Sequence, residues 1–121
     1  MAAKKKSKRK KVSKLLPVTR SVRRLQELGW VADIAERKMG VLSRDWCNFA
    51  DIVAIRPGHG GPRVIFVQAT GHTNVSSRVN KVRESEEAMR CILSGCEVQV
   101  WGWDAYKEDP RIVHIKLEDW D

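Results

Sequence analysis

The apolar residues follow two different spacings along the chain, and these spacings predict the order of helices and strands. Residues 18–28 carry apolar residues three positions apart, which predicts an amphipathic helix that ends at Gly29. Residues 30–36 alternate in part and predict a first strand, whereas the polar stretch 37–48 predicts a loop. The apolar stripe of the helix consists of Val22, Leu25 and Leu28.

The middle of the chain predicts a β-hairpin followed by a second helix. Two apolar runs, residues 49–56 and 63–70, flank a turn that is rich in glycine and proline. Residues 76–94 then show helical spacing, and Gly95 ends that helix. The buried stripe of this helix is expected to contain Val79, Val82, Met89, Ile92 and Leu93.

Two further strands are predicted at residues 96–103 and 111–117, so the order of elements is α-β-β-β-α-β-β. The second helix connects the third and fourth strands. These two strands are therefore expected to run in parallel with a right-handed connection. The sequence predicts an α/β fold with a mixed five-stranded sheet flanked by helices.

Positive charge is concentrated near the beginning of the chain. The net charge of the 121 residues is +8, from 23 basic and 15 acidic residues. Residues 1–24 contain 11 basic residues and no acidic one, so the remainder carries a charge of −3. We expect residues 1–16 to form a disordered basic arm, because they offer too little apolar surface to bury, and residues 17–121 to form a single domain.

The basic arm has a functional and a non-functional interpretation. A dense run of cations releases counterions when it binds polyphosphate, which favours a nucleic-acid contact without sequence specificity. The alternatives are a solubilising tail and, depending on the organism, a nuclear-localisation signal. The expected nucleic-acid contacts are Lys4, Lys5, Lys6, Lys8, Arg9, Lys10 and Lys11.

Several classes of protein are disfavoured by residue spacing. Cys47, Cys91 and Cys96 are odd in number and lack the CxxC pattern, which argues against a disulfide framework and a zinc module. No apolar run has the length of a transmembrane helix, and the first residues lack the apolar core of a signal peptide. We therefore expect a cytoplasmic protein without a membrane partner.

Three polar residues stand in the predicted hairpin where apolar residues would be usual. Gln68 and Thr70 are two residues apart and so point to the same face at the end of the third strand. Asp51 lies at the start of the second strand, which is antiparallel to the third. Pairing of the two strands is expected to bring Asp51, Gln68 and Thr70 together, provided that the register is correct.

The motifs around these residues resemble the PD-(D/E)xK nuclease superfamily. The matching segments are ADIVAIR at 50–56, VQAT at 67–70, Ser77-Arg78 with Lys81, and VQVWGW at 98–103. The superfamily includes restriction-type endonucleases, archaeal Holliday junction resolvases and VRR-NUC domains. The greatest similarity is to a subgroup of small bacterial and phage proteins with a QxT motif. The resemblance implies a restriction-endonuclease-like αβββαβ core.

The resemblance also implies a set of catalytic residues and a metal cofactor, Mg²⁺ or Mn²⁺. Asp51 matches the first metal-binding carboxylate of the family, whereas Gln68 replaces the second carboxylate and Thr70 replaces the lysine. Lys81, or Arg78 beside it, would supply the missing cation from the following helix. Glu36 is the preferred third metal ligand beside Asp51 and Gln68. Glu27 and Asp45 are the alternative carboxylates.

Two other features gain an interpretation from their position. The loop at 71–78 leads into a helix, with Asn74, Ser76 or Ser77 as the expected cap, and its free N–H groups with Arg78 would bind a DNA phosphate. Trp101 and Trp103 share a face of the fourth strand, and packing in the core is favoured over base stacking.

The sequence therefore supports two hypotheses about function. The first is a Mg²⁺-dependent DNA endonuclease, or a junction-resolvase-like enzyme, with an altered QxT active site. The second is a catalytically inactive protein of the same fold that binds DNA or takes part in phage virion assembly. Both imply DNA as the partner and the cytoplasm of a bacterial or phage-infected cell, or the virion, as the location. Similarity to the resolvases also implies a homodimer.

Overall fold

The computed structural model describes residues 10–35, 37–39 and 42–120. Within these residues there are three α-helices: α1 Pro17–Glu27, α2 Val75–Arg83 and α3 Glu86–Leu93. The strands are β1 Val31–Ile34, β2 Arg37–Met39, β3 Leu42–Arg44, β4 Ile52–Gly58, β5 Gly61–Gly71, β6 Glu97–Trp103 and β7 Arg111–Ile115. Six residues named above lie outside the described ones: Lys4, Lys5, Lys6, Lys8, Arg9 and Glu36.

Five of the strands form one mixed sheet in the order β1-β4-β5-β6-β7. Strands β5 and β6 are parallel, and the other neighbouring pairs are antiparallel. The parallel pair is joined through α2 and α3, because parallel strands need a long connection. The predicted α/β class and the five-stranded mixed sheet are confirmed.

The prediction of a loop at residues 37–48 was wrong. Strands β2 and β3 form a separate antiparallel pair in which Arg37 lies opposite Arg44 and Met39 opposite Leu42. The segment is polar and lacks alternation, so side-chain pattern did not indicate it. Main-chain hydrogen bonds between two short strands explain the pairing, and they leave no pattern in the sequence.

The prediction of one continuous helix over residues 76–94 was also wrong. The backbone leaves helical geometry at Ser85, whose Oγ accepts a hydrogen bond from the N–H of Ala88 and caps α3. Val82 and Ala88 are both fully buried. In a continuous helix, residues six apart lie about 240° apart around the axis, so the break allows both to face the core.

The sheet separates two layers of core packing. On one face α1 covers a cluster that includes Trp101 and Trp103, so their predicted packing in the core is confirmed. On the other face α2 and α3 cover a second cluster. Successive residues of β5 alternate between the clusters: Ile65, Val67 and Ala69 belong to the first, and Phe66 to the second.

Helix α1 is fixed to the loop that follows β6. The guanidinium of Arg20 is buried, lies 4.2 Å from the ring centroid of Trp103, and donates to the carbonyl oxygens of Asp104 and Lys107 at 3.0 and 2.8 Å. The indole N–H of Trp103 donates to Ser21 Oγ at 2.7 Å. This part of the basic N-terminal segment therefore has a structural role.

The described end of the basic arm contacts the same loop. The main-chain N–H of Val12 donates to the carbonyl oxygen of Ala105 at 2.7 Å, and that of Ser13 approaches the same oxygen at 3.4 Å. Helix α1 begins at Pro17, where the sequence places the start of the domain. The division into arm and domain stays a prediction. No described helix combines the length and apolar composition that crossing a bilayer requires.

Candidate functional site

Asp51 and Gln68 lie side by side on the sheet face that α2 covers. Asp51 directly precedes β4, next to the pair of Ile52 with Val67, and its N–H donates to Val67 O at 2.8 Å. Gln68 Nε2 donates to Asp51 Oδ2 at 3.1 Å. The convergence predicted for these two residues is confirmed.

The amide of Gln68 is surrounded by oxygen atoms on one side. Its Nε2 lies 3.1 Å from Asp51 Oδ2, 3.1 Å from Asp45 Oδ2 and 3.2 Å from the carbonyl oxygen of Phe49. Asp51 Oδ2 also accepts the main-chain N–H of Ala69 at 2.8 Å. An NH₂ group has only two hydrogens for these three acceptors. Gln68 and Asp51 are buried, whereas Asp45 is partly exposed, so the amide holds the two carboxylates close together at the edge of the protein interior.

A short turn explains why Asp45 lies beside Asp51. Trp46 and Ala50 form an antiparallel bridge, with the N–H of Trp46 donating to Ala50 O at 2.8 Å. Continuing this pairing by one residue on each side places Asp45 opposite Asp51. Between the bridged residues, Cys47 and Asn48 adopt positive φ values of 49° and 63°. Left-handed conformations are unfavourable for residues with a side chain and often occur at functional sites.

Helix α2 supplies two cations to the other side of the Gln68 amide. Lys81 Nζ lies 2.9 Å from Asp45 Oδ2 and 3.4 Å from Gln68 Oε1. Arg78 donates to the same Oε1 at 3.3 Å. Both are partly buried. Residues three apart share a face of a helix, and the apolar stripe of α2 packs on the sheet beside them. The stripe consists of Val75, Val79 and Val82.

Asp45, Asp51, Gln68, Arg78 and Lys81 together are called the polar cluster below. In the cluster, burial is the largest influence on the pKa of Asp45 and would raise it. Hydrogen bonds with Asp51, Lys81 and Gln68, together with the charge of Lys81, outweigh burial and hold that pKa below its ordinary value of 3.8.

The other predicted site residues have different positions. Thr70 is buried two residues beyond Gln68 on the same strand, and the hydrogen bonds of the polar cluster among described residues do not include its hydroxyl. Glu27 lies on α1, whose packing is with the opposite sheet face, and its exposed carboxylate is 3.8 Å from Arg24. Glu27 is therefore excluded as the missing carboxylate. Asn74 occupies the N-cap of α2, but its side chain makes no capping hydrogen bond.

Two features of this site were missed or left open by sequence reasoning. Asp45 was one of three candidate carboxylates, and only the turn at residues 46–50 selects it. Trp46, which carries no pattern in the sequence, lies next to Asp45 and is 39% exposed. The spacing of two aspartates at either end of DWCNFAD is the signal that could have indicated the pair.

The donor atoms are suited to a hard divalent cation. Two carboxylates, a carbonyl oxygen and an amide side chain are the oxygen ligands that Mg²⁺ and Mn²⁺ prefer. Among the described residues, no group of three or more His, Cys, Asp and Glu side chains is arranged to hold a metal ion. A metal here would depend on the aspartate pair together with neutral oxygen donors.

Comparisons of the chain with protein-family models, with curated proteins and with solved structures give no match. The resemblance to the PD-(D/E)xK superfamily therefore stays a prediction from the motifs of the sequence.

Proposed function

We propose that the chain is a metal-dependent nuclease of the PD-(D/E)xK type that acts on DNA. The observation that carries this proposal is the polar cluster, in which Asp45 and Asp51 lie within 3.1 Å of one buried Gln68 nitrogen, with Lys81 2.9 Å from Asp45. The element order also supports it, since α1, β1, β4, β5, α2 and β6 follow the αβββαβ order of the restriction-endonuclease-like core.

The metal-binding groups in this proposal are the carboxylates of Asp45 and Asp51 and the carbonyl oxygen of Phe49. When bound, Mg²⁺ or Mn²⁺ supplies an activated water and neutralises the charge that develops on the phosphate. Gln68 must withdraw its NH₂ group from between the carboxylates, since that group occupies the space that these oxygens surround. Rotation of the amide would present Oε1 in its place.

The cations of α2 have a separate role in the proposal. Lys81 and Arg78 both contact Gln68 Oε1, and a phosphate oxygen is a better partner for them than a neutral amide. Lys81 thus takes the place of the lysine that Thr70 replaces in the family motif. Its charge would stabilise the developing negative charge on the scissile phosphate, as preorganised cations do in phosphoryl chemistry.

A second candidate function is DNA binding without catalysis, in a regulatory or virion-assembly role. The observation that favours it is the completeness of the polar cluster. Among the described residues, no fully buried side-chain nitrogen or oxygen is left without a hydrogen-bond partner. Gln68 thus donates neutral N–H groups to both aspartates, and the buried polar atoms of the described residues have hydrogen-bond partners without a metal ion.

A cleavage assay separates the two functions. The full chain is incubated with supercoiled plasmid and with branched DNA, in Mg²⁺, in Mn²⁺ and in EDTA. Cleavage is expected only with metal, and Asp45→Asn and Asp51→Asn should each lower it on the order of 100-fold or more. Asp109→Asn is the matched control, because Asp109 is an exposed carboxylate paired with Arg24 outside the cluster. DNA binding without cleavage in either metal would reject the nuclease and leave the second function.

A further inference from the structure

An exposed aromatic ring lies at the margin of the polar cluster. Trp46 is 39% exposed, whereas Trp30, Trp101 and Trp103 are buried and Trp120 is partly buried. Trp46 directly follows Asp45, which belongs to the cluster. A large apolar ring beside charged groups loses favourable burial unless something covers it. The position of the ring relative to the polar cluster indicates which kind of ligand group would cover it.

The ring of Trp46 packs against two other aromatic rings. It is stacked on Phe66, with ring centroids 4.6 Å apart and planes inclined by 9°, and it forms a T-shaped pair with Phe49, with ring centroids 5.8 Å apart. The main chain of Trp46 is fixed by the bridge to Ala50. One face of the indole therefore contacts Phe66, and binding a planar group to the other side costs little conformational entropy.

The aromatic stack and the polar cluster are neighbours along the same strand. Phe66 and Gln68 are two residues apart on one face of β5, a distance of about 6.6 Å. Trp46 and Asp45 are consecutive and lie above these two residues. A base and the phosphate of its own nucleotide have a comparable separation. A nucleotide with its phosphate near Lys81 and Arg78 would place its base near Trp46.

We propose that Trp46 is a stacking platform for an unpaired base, so that the site selects nucleic acid with single-stranded nucleotides, such as frayed ends, flaps or gaps. The inference rests on the proposed function for its ligand, a nucleic acid. Bases within a duplex have both faces covered by their neighbours, and only an unpaired or extruded base can stack on a protein ring. Such stacking tolerates any base, because every base has an aromatic face.

Binding in the absence of cleavage tests this role directly. The affinities of the full chain for a labelled single strand and for its blunt duplex are measured by fluorescence anisotropy in EDTA. Trp46→Ala should weaken single-strand binding by about 5- to 100-fold and leave duplex binding unchanged. Tyr106→Ala is the matched control, because Tyr106 is an aromatic residue of nearly equal exposure, 38%, outside the aromatic stack. The ratio of mutant to wild-type affinity should not change with salt, since stacking releases no counterions.

A second measurement uses Trp46→Phe, a variant that keeps an aromatic ring to pack on Phe66. Single-stranded DNA should quench the tryptophan emission of the wild type, and Trp46→Phe should retain single-strand binding but lose most of the quenching. Equal loss of single-strand and duplex affinity in Trp46→Ala, or quenching that persists in Trp46→Phe, would overturn the proposal. If the full chain binds neither single-stranded nor duplex DNA, both the stacking role and the proposed function are overturned. If the chain cleaves DNA with metal but Trp46→Ala has no effect on single-strand binding, the stacking role alone is overturned. If Trp46→Ala weakens single-strand binding but the chain does not cleave DNA, the stacking role is supported and the nuclease is rejected.

Discussion

Gln68 joins groups of opposite charge in the interior of the protein. Its NH₂ group faces Asp45 and Asp51, and its carbonyl oxygen faces Lys81 and Arg78. A neutral amide satisfies both sides without adding charge to a buried site, where an unpaired charge would be costly. The PD-(D/E)xK motif that the sequence resembles has a carboxylate at this position, so under the proposed function the choice of amide or carboxylate decides whether the cluster needs a metal ion.

Replacement of Gln68 by glutamate should make the stability of the fold depend on a divalent cation. Gln68→Glu removes the N–H donors to Asp45 and Asp51 and adds a third negative charge, which should cost about 3–5 kcal/mol of unfolding free energy in EDTA. Mn²⁺ should restore much of this loss. Thermal unfolding with and without metal measures the effect. Gln99→Glu is the control, because Gln99 is also buried and bonded to Trp101 but lies outside the cluster. Equal metal responses in the two variants would contradict the assignment.

The lowered pKa of Asp45 predicts how stability changes in acid. Because the folded pKa lies below the ordinary value of 3.8, the ionised carboxylate stabilises the fold above pH 3.8, and this contribution is lost as pH falls through the folded pKa. Lys81→Met should raise the pKa of Asp45 and move the acid loss of stability to higher pH. Urea unfolding at a series of pH values in EDTA measures this. Arg90→Met, which breaks a solvent-exposed pair with Glu86, should not move the profile. A shift of the same size in both would refute the role of Lys81.

Some residues of the site can be predicted from the sequence, and others cannot. Asp51 and Gln68 follow from strand period and antiparallel pairing, and Lys81 follows from its position on the next helix. The choice of Asp45 could not be made, because it depends on left-handed backbone at two consecutive residues, Cys47 and Asn48, and only asparagine is a residue type that favours that conformation. Trp46 was missed because ring exposure and stacking are properties of the folded chain.

At the level of secondary structure, α2 packs very closely on β6. A Cβ atom at Gly102 would lie 2.2 Å from Val75 Cγ2 and 3.4 Å from the Cα of His72. Val75 is fully buried and begins α2, the helix that carries Arg78 and Lys81. The absence of a side chain at one strand residue thus determines how near the two cations come to Gln68.

Gly102→Ala should separate α2 from the sheet. We expect a loss of about 1–3 kcal/mol in unfolding free energy, because a branched side chain in a packed core cannot move far enough to make room. Val75→Ala in the same chain should recover part of the loss, so the two substitutions should be non-additive in a double-mutant cycle. Denaturant unfolding measures these free energies. Gly60→Ala, with open space around its Cβ, should be close to neutral. Additive effects would disprove the contact.

The apolar pattern predicted the order of helices and strands better than it predicted where they begin and end. The order α-β-β-β-α-β-β was correct for the main sheet, because long apolar runs dominate it. The break at Ser85 was missed, although a serine followed by Glu86 and Glu87 is typical of a helix start. The apolar spacing continued across the break and masked the cap. The β2–β3 pair was missed for the opposite reason, since backbone pairing there has no apolar pattern.

At the level of the whole molecule, charge is separated between residues 1–24, which carry a charge of +11, and a slightly acidic remainder. The basic arm could be predicted from the composition of the sequence. Its contact with Ala105 could not be predicted, because main-chain hydrogen bonds between distant segments leave no pattern in the sequence. The contact places the beginning of the described chain beside the loop that follows β6. Gly71 at the end of β5 pairs with Trp103 at the end of β6, so Val12 and Ser13 lie at the same end of the sheet as the polar cluster.

Removal of residues 1–9 should weaken DNA binding mainly at low salt. The segment contains Lys4, Lys5, Lys6, Lys8 and Arg9, and every phosphate that these cations no longer neutralise should reduce the slope of log affinity against log salt by about 0.7 to 0.9. Titrations at several salt concentrations in EDTA measure the slope. A chain with the same residues in scrambled order should keep it, because counterion release depends on charge and not on sequence. An unchanged slope after deletion would show that the arm does not bind DNA.

The long-range contacts of α1 have a consequence for the order in which the protein acquires its structure during translation. Arg20 and its acceptor in Asp104 are 84 residues apart, whereas the residues of the polar cluster all lie between positions 45 and 81. Because a ribosome delivers the chain from its N-terminal end, the helix next to the basic arm is made early and waits for the loop that will hold it. The segment that emerges ahead of the polar cluster is therefore among the last to reach its final position.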